Sequence, residues 1–343
     1  MPLVSVVIPC YNQSRFIGTA LSSLIAQSLT DWEAWIIDDG SPDDVAMAVR
    51  DYVRSDSRIQ YLRQENQGLP SARNVGLAHS HGKYINFLDA DDWFHPSKLE
   101  KQVRIMEEEP AIDWVYCDIV QEREDAHAAG ESSMASSRRV LDGDLMESLL
   151  IGGFFPPHTV LIRRTVLDVC GAFRVEMGGH ADYDLWLRVA ALGHQARFVN
   201  EPLAHYRIHS DGMSRDFAHM EQTRRAALRR VVTDYPERVA ASLDGLFRTN
   251  RDYEKANWWL NSQLATRQQE IERLNSVIGE QKDWIAQLSE GKAWLEQQVT
   301  NWRTEADALS AEVAELKKVQ ATAQQTRWKS RIRAFVNHLG GRK

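Results

Sequence analysis

The stretch Tyr84-Ile85-Asn86-Phe87-Leu88-Asp89-Ala90-Asp91-Asp92 carries the strongest fold signal in the chain. An aromatic and aliphatic run without Pro or Gly ends in three acids within four positions. The run has the length and composition of a buried strand. Carboxylates crowded at a strand end repel one another. They are tolerable if solvated, or if they face a cation or a polyhydroxyl ligand.

The same grammar recurs upstream. Leu3 to Ile8 reads as a strand broken by Pro9-Cys10-Tyr11-Asn12, and Ile17, Ala20, Leu21, Leu24 and Ile25 then recur at helical spacing, with Asn12 or Ser14 as the expected N-cap. Trp35-Ile36-Ile37 is a second strand ending at Asp38-Asp39-Gly40-Ser41. Pro42 suits the first turn of the helix carrying Val45, Val49 and Val53. Ile59 to Leu62 is a third strand, and Pro70 starts a helix carrying Ala72-Arg73-Asn74. Strand alternating with helix predicts a parallel, doubly wound α/β sheet. Ligands of such sheets bind outside the carboxyl ends of the strands. Pro9, Asp39 and Asp89 to Asp92 all fall there, so they predict one crevice.

The second half is less regular. Leu99, Val103 and Met106 suggest a helix, Trp114 to Ile119 and Thr159 to Ile162 suggest strands, and Gln121 to Arg139 is a polar segment read as a loop. Ala181 to Leu192 reads as a helix stopped by Gly193, with Asp182 in the first turn, where the helix dipole favours an anion. Arg197 to Val199 and His205 to Ile208 are short strand candidates, and His209 opens a loop.

From about Asn250 the composition shifts to Glu, Gln, Lys and Ala. A four-three alternation runs from Leu260 through Ile271, Leu274, Ile278, Val299, Ala306 and Val313 to Ala323. It predicts a coiled coil of about nine heptads, roughly 95 Å long, with polar Arg267, Gln281 and Lys292 setting its register or oligomer state. The closing segment, Arg327 to Leu339, is basic and free of acids, and on a helix Trp328, Ile332, Phe335, Val336 and Leu339 share one face. It suits a membrane surface, or else a soluble cap on the coil.

The chain has 343 residues, 43% of them hydrophobic, and a formal net charge of −7, which argues against general nucleic-acid binding. The three cysteines, Cys10, Cys117 and Cys170, are far apart and lack metal-ligand spacing, so reduced thiols are expected, with neither disulfides nor zinc. The short apolar N-terminus reads as a strand, not a signal peptide, and no transmembrane helix is expected.

Taken together, Val4-Ser5-Val6-Val7-Ile8-Pro9-Cys10-Tyr11-Asn12, Asp38-Asp39-Gly40-Ser41, Gln67-Gly68 with Ala72-Arg73-Asn74, Asp89-Ala90-Asp91-Asp92, Asp182-Tyr183-Asp184-Leu185-Trp186-Leu187-Arg188 and Tyr206-Arg207-Ile208-His209 resemble the inverting family 2 glycosyltransferases. The six motifs occur in order at family-like spacing, and the resemblance covers roughly residues 3 to 215. The resemblance implies an α/β GT-A fold, Rossmann-like with a doubly wound and mostly parallel sheet, followed by the long α-helical coiled coil. The expected domains are 1–245, a coiled coil at 246–325, and the basic amphipathic tail at 326–343.

The resemblance also implies roles. Pro9, Tyr11 and Asn12 line the nucleotide pocket, Asp39 accepts from a pyrimidine or guanine N–H, and Arg73 sits against the base or diphosphate. Asp89, with Ala90 beside it, holds ribose hydroxyls, Asp91 ligates Mg²⁺ or Mn²⁺, and His209 joins the phosphate or metal shell. Asp182 is the general base. The resemblance gives no role to Asp92, which is expected only to cap the segment that follows. The family usually has an acid just before the base, where this chain has Ala181. The implied function is metal-dependent, inverting transfer of a sugar from a nucleoside diphosphate donor to a glycan or glycolipid acceptor. The setting is surface glycan synthesis (O-antigen, capsule or glycolipid), in a cytoplasmic homo-oligomer touching the inner face of an anionic membrane. A rival reading is a coiled-coil scaffold that binds nucleotide sugar without transferring it. Asp182 favours the enzyme, and Ala181 keeps the rival open.

Overall fold

Runs of Val and Ile without charge make strands that can be buried on both faces. Strands β1 (Val4–Cys10) and β4 (Tyr84–Phe87) are buried at every residue. The structure is a computed structural model and describes residues 1–123, 142–152, 155–209, 217–287 and 292–325. The chain divides into two compact units, Met1–Ser242 and Leu243–Lys343.

The first unit is built on an eight-stranded sheet of order β3-β2-β1-β4-β7-β6-β8-β5. Strands β2 (Trp32–Asp39) and β3 (Ile59–Gln64) continue outward from β1, and β3, β2, β1 and β4 are mutually parallel. Helices α1 (Ile17–Ile25), α2 (Val45–Ser55) and α3 (Leu69–His79) make the crossovers. In register, Pro9 lies beside Ile37, Cys10 beside Asp38, and Val7 beside Phe87. The carboxyl ends of β1, β2 and β4 therefore open on one edge, as the sequence predicts. Beyond β4 the sheet is mixed. Strand β7 (Val160–Arg163) is antiparallel to both β4 and β6 (Trp114–Arg123), β8 (Ala196–Ile208) is parallel to β6, and the two-residue β5 (Trp93–Phe94) is antiparallel to β8.

Several local expectations need correction. Neither Asn12 nor Ser14 caps α1, whose N-cap is Phe16 without a side-chain bond. The Asn12 N–H donates to Ser41 Oγ (3.2 Å) and the Ser14 N–H to Asp43 Oδ2 (2.7 Å), tying the turn after β1 to the turn after β2. Pro42 precedes α2, which is capped by Asp44 accepting from the Met47 N–H at 3.0 Å. The two short strand candidates near residues 200 are one strand, β8, with a register shift opposite Cys117 to Ile119. Residues 121–123 belong to β6, and the rest of the expected polar loop lies outside the described residues, as does the basic tail. Helix Phe217–Asp234, which buries Ala227, Leu228 and Val231, escaped the sequence reading because Arg residues crowd its apolar stripe. All three cysteines are free and buried.

The second unit corrects the long rod. Helix Pro236–Gln287 runs into it, and a second helix spans Lys292–Gln325. Arg267 Nη2 lies 3.4 Å from Glu312 Oε1, and Arg273 feels the charge of Glu305. The partner number falls as the first number rises, so the two helices run antiparallel. Ile271, Leu274, Ile278, Val299, Ala306 and Val313, all seam positions of the heptad pattern, are buried. The heptads thus close a hairpin within one chain. A seam specifies an apolar stripe, not whether the facing stripe belongs to the same chain. No helix among the described residues is long and apolar enough to cross a membrane.

Gly76 sets the approach of α3 to the sheet. A Cβ there would stand 2.3 Å from Val7 Cγ1 and 3.2 Å from Ile37 Cγ1. Gly76→Ala is expected to lower stability by about 1–3 kcal/mol through overpacking, read as a lower urea midpoint with unchanged slope.

Candidate active site

The site begins where β4 stops. The Leu88 N–H still donates to Val7 O (2.9 Å), and the chain then turns, with the Asp92 N–H donating to Asp89 O at 3.0 Å. Asp89, Asp91 and Asp92 thus share one tight turn, and each meets a different partner. Arg73 Nη2, from α3, donates to Asp89 Oδ1 at 2.7 Å. His209 Nε2, just past β8, lies 2.9 Å from Asp91 Oδ2. His158 Nδ1, just before β7, lies 2.9 Å from Asp92 Oδ2. Asp92 Oδ1 also accepts from the Arg207 N–H (2.9 Å), and Arg207 Nε donates to Asp91 O (2.9 Å). The Arg207 guanidinium packs over the rings of Phe16 and Trp93, 4.8 and 4.6 Å from their centroids.

These partners do not balance the acids equally. Burial, then the charges of Asp92 and Asp89, push the Asp91 carboxyl up to about 6 despite its bond to His209. Burial also raises Asp92, opposed by His158. The expectation that Asp92 only caps the next segment is wrong. Helix α4 (Lys98–Glu108) has Ser97 at its N-cap, and Asp92 is buried as the anchor of His158 and Arg207. Those two partners lie far along the chain, so no local pattern could announce them.

Along the same edge, Asp39 is buried at the end of β2. Its Oδ1 accepts from Gln64 Nε2 (2.7 Å) and the Gln67 N–H (2.9 Å), and its Oδ2 from the Gly68 N–H at 2.8 Å. It therefore holds the loop into α3 and keeps about one acceptor position for a ligand. Pro9 and Ala90 are buried, whereas Tyr11 and Asn12 are exposed. Asn12 adopts φ +57°, a left-handed conformation that Asn tolerates better than most residues.

Asp182 reaches the site from the opposite direction. Helix Ala181–Ala191 is buried at every residue. Its Trp186 stacks on Trp114 of β6 (centroids 5.5 Å apart) beside Phe155, and Gly193 at φ +84° follows its end. Arg188 bonds Asp184 Oδ2 at 2.9 Å and the carbonyls of Cys170, Gly171 and Ala172, pinning the preceding segment to the helix. With that helix locked, Asp182 at its first turn has a fixed position. Burial pushes its carboxyl up to about 6, against the pull of Arg73 and a 2.7 Å bond from the Tyr183 N–H, while Asp89 adds repulsion. Desolvation outweighs the helix dipole here. The electrostatics also show that Arg73, Asp89 and Asp182 share one neighbourhood. Ala181, where an acid is usual in the family, is buried.

Residues 5–171 match the model of glycosyl transferase family 2. The chain carries a family 2 glycosyltransferase domain. Among curated relatives, a Bacillus subtilis (strain 168) protein designated glycosyltransferase EpsH is 30% identical over 213 residues, 61% of each chain, so this chain spans about three-fifths of that relative's length. Among solved structures, Staphylococcus aureus TarS 1–349 in complex with UDP-GlcNAc aligns with TM-score 0.56 and 17% identity, covering 94% of this chain and 92% of that one. The Pyrobaculum calidifontis mannosyltransferase PcManGT in complex with GDP-Man and Mn²⁺ aligns with TM-score 0.53 and 17% identity, covering 100% and 88%. These likenesses show the GT-A fold.

Within the glycosyltransferase domain, one more residue joins the two halves of the site. Asn74 Nδ2 donates to Phe173 O and the Phe173 N–H donates to Asn74 Oδ1, both at 2.8 Å. The Phe173 ring meets Phe87 edge-on at 4.7 Å and underlies the Arg73 guanidinium at 5.3 Å. The Ala72-Arg73-Asn74 motif therefore links the β4 acids to the segment leading into Asp182. Asn74→Ala leaves both Phe173 backbone groups unpaired. It is expected to cost about 1–3 kcal/mol and to speed amide exchange at Phe173 ahead of global unfolding, measured by exchange mass spectrometry.

Proposed function

We propose that the domain transfers a sugar from a nucleoside diphosphate donor to a hydroxyl acceptor, with inversion, and that it uses a divalent cation. The observation that carries this reading is Asp182. It is a buried carboxyl on a locked helix, tuned to about 6 and set in the same neighbourhood as the Arg73–Asp89 pair. A scaffold that only bound nucleotide sugar would need no carboxylate poised to take a proton near neutral pH.

Pro9, Tyr11, Asn12 and Asp39 receive the nucleotide base at the ends of β1 and β2, and Asp89, beside Ala90 and steadied by Arg73, receives the ribose. The donor set suits Mg²⁺ or Mn²⁺, since hard oxygen ligands predominate. Burial first, then the charges of Asp92 and Asp89, raise the Asp91 carboxyl despite His209, and a cation there would offset both. Two ligand sets overlap here. Ligand atoms of Asp89, Asp92 and His158 lie within 4.8 Å of one another. Asp92 and His158, however, are sealed from solvent and face each other, whereas the Asp91 side chain is 21% exposed. Asp91, with His209 beside it, would therefore hold the ion. Bound there, a cation neutralises the departing diphosphate.

Asp182 accepts the acceptor's hydroxyl proton as that oxygen attacks the anomeric carbon from the face opposite the diphosphate. The new C–O bond forms as the bond to the diphosphate breaks, and the diphosphate leaves with the electron pair. UDP-GlcNAc and GDP-Man, the ligands of the TarS and PcManGT structures, are the first donors to test. A surface glycan or glycolipid acceptor follows from the family resemblance. The basic sequence from Arg327 to Leu339 suits an anionic membrane surface, where such an acceptor would be met.

Two measurements test the proposal. With Mn²⁺ and a donor panel, Asp182→Asn is expected to lower transfer or donor hydrolysis by about 10²–10⁴-fold while donor binding persists, and Asp91→Asn to abolish turnover. Wild-type activity in both variants would refute the assignment. Because the base must be ionised, kcat/KM is expected to rise with pH through about 6, the value to which burial moves Asp182, and to fall away below it. A limb centred near 4 would contradict a buried base.

A further inference from the structure

Beneath the cation-binding edge lies a buried group that the reaction scheme does not use. His158 is fully buried, on the short Pro157–Thr159 turn that enters β7. Its Nδ1 lies 2.9 Å from Asp92 Oδ2, and its ring stacks nearly parallel to that of Tyr206, 7° apart in plane with centroids 6.0 Å apart. Asn86 of β4 donates through Nδ2 to the carbonyls of His158 and Val160. Gln102 of α4 donates to the Thr159 carbonyl at 2.8 Å. The turn carrying His158 is thus fastened to the core from two sides, independently of the acids.

What His158 holds is the other end of Asp92. Asp92 Oδ1 takes the Arg207 N–H, and Arg207 Nε returns to Asp91 O. Two residues further on, His209 meets Asp91 Oδ2. The chain leaving β8 therefore rests against the acid turn through a connected series: His158, Asp92, Arg207, Asp91 and His209. Without a buried partner Asp92 would carry an uncompensated carboxylate at 1% exposure, a state that costs several kcal/mol and is relieved by local rearrangement.

We propose that His158 is a positioning residue. Through Asp92 it holds the end of β8 so that His209 and Asp91 converge on the cation position. The inference rests on the cation-dependent reading above. His158 acts here as the outer support of a ligand pair, and loss of such supports weakens metal binding by about 10–100-fold.

The test is Mn²⁺ binding to the full chain, read from the electron paramagnetic resonance signal of free Mn²⁺ and so independent of turnover. His158→Asn places an amide nitrogen near the Nδ1 position and is expected to keep affinity within about threefold. His158→Leu fills similar volume without a polar atom and is expected to weaken affinity by about 10–100-fold and to speed exchange of the Arg207 amide. Asp92→Asn keeps the shape but removes the charge facing His158. It is the second variant should His158→Leu not fold, and it is expected to weaken Mn²⁺ similarly. Wild-type affinity in His158→Leu or Asp92→Asn, with affinity lost in Asp91→Asn, would overturn the positioning role alone. Equal defects in the Asn and Leu variants of His158 would also overturn it, since volume rather than the Asp92 contact would then matter. Absence of Mn²⁺ binding in the wild type would overturn this inference and the cation-dependent reading together.

Discussion

Three carboxylates within four residues, at the end of a strand buried on both faces, cannot share that space without separate partners. The fold supplies one to each: Arg73 to Asp89, His209 to Asp91, and His158 with the Arg207 N–H to Asp92. The partners come from α3, from the end of β8 and from the entry to β7, so the turn after β4 gathers three distant parts of the chain. Burial strengthens each pairing and raises the cost of losing it. Asp89 and Asp91 both stay partly exposed, and Asp91 is the one of the two whose carboxyl is pushed up to about 6. Burial raises both Asp91 and Asp92 against the pull of their His partners, and of these two only Asp91 opens to the crevice, where a cation could reach it.

The same arrangement separates two tasks. In the proposed reaction the ends of β1, β2 and β4 would form the donor edge, and the loops there are tied to one another by Asn12, Ser14 and Asp39. The attacking side would depend on one buried helix, held by Trp186 against Trp114 and by Arg188 against the preceding segment. Arg73 and Asn74, adjacent on α3, bridge them. Arg73 faces Asp89 and influences Asp182, while Asn74 grips the Phe173 backbone. The proposed in-line displacement requires a fixed separation between base and leaving-group site, and a short rigid helix joining both is a direct way to fix it.

The parts of this account legible in the sequence are those with local causes. Strand and helix alternation through the end of β4 follows from apolar runs and their punctuation, and it predicts the shared crevice because strand direction places Pro9, Asp39 and Asp89 at the same ends. The motifs that resemble the family pointed to Asp91, Asp182 and His209. Long-range pairing was not legible. Nothing near Asp92 announces His158 or Arg207, and β7 joins the sheet antiparallel because of its partners, not its composition. The terminal heptads had the right seam but not its mate. Ile271 and Val313 are buried as a stripe predicts, yet the facing helix belongs to the same chain.

On the proposed reading, the crevice at the carboxyl ends of β1, β2 and β4 receives a nucleotide sugar together with a divalent cation. Thermal unfolding of the full chain against a panel of nucleotide sugars, with and without Mn²⁺, tests it most directly, because a ligand that binds only the folded state raises the unfolding temperature. At least one UDP- or GDP-sugar is expected to raise it in the presence of Mn²⁺, and Asp91→Asn to erase the Mn²⁺-dependent part of the rise. No shift with any nucleotide sugar, or a shift of equal size in Asp91→Asn, would contradict that reading.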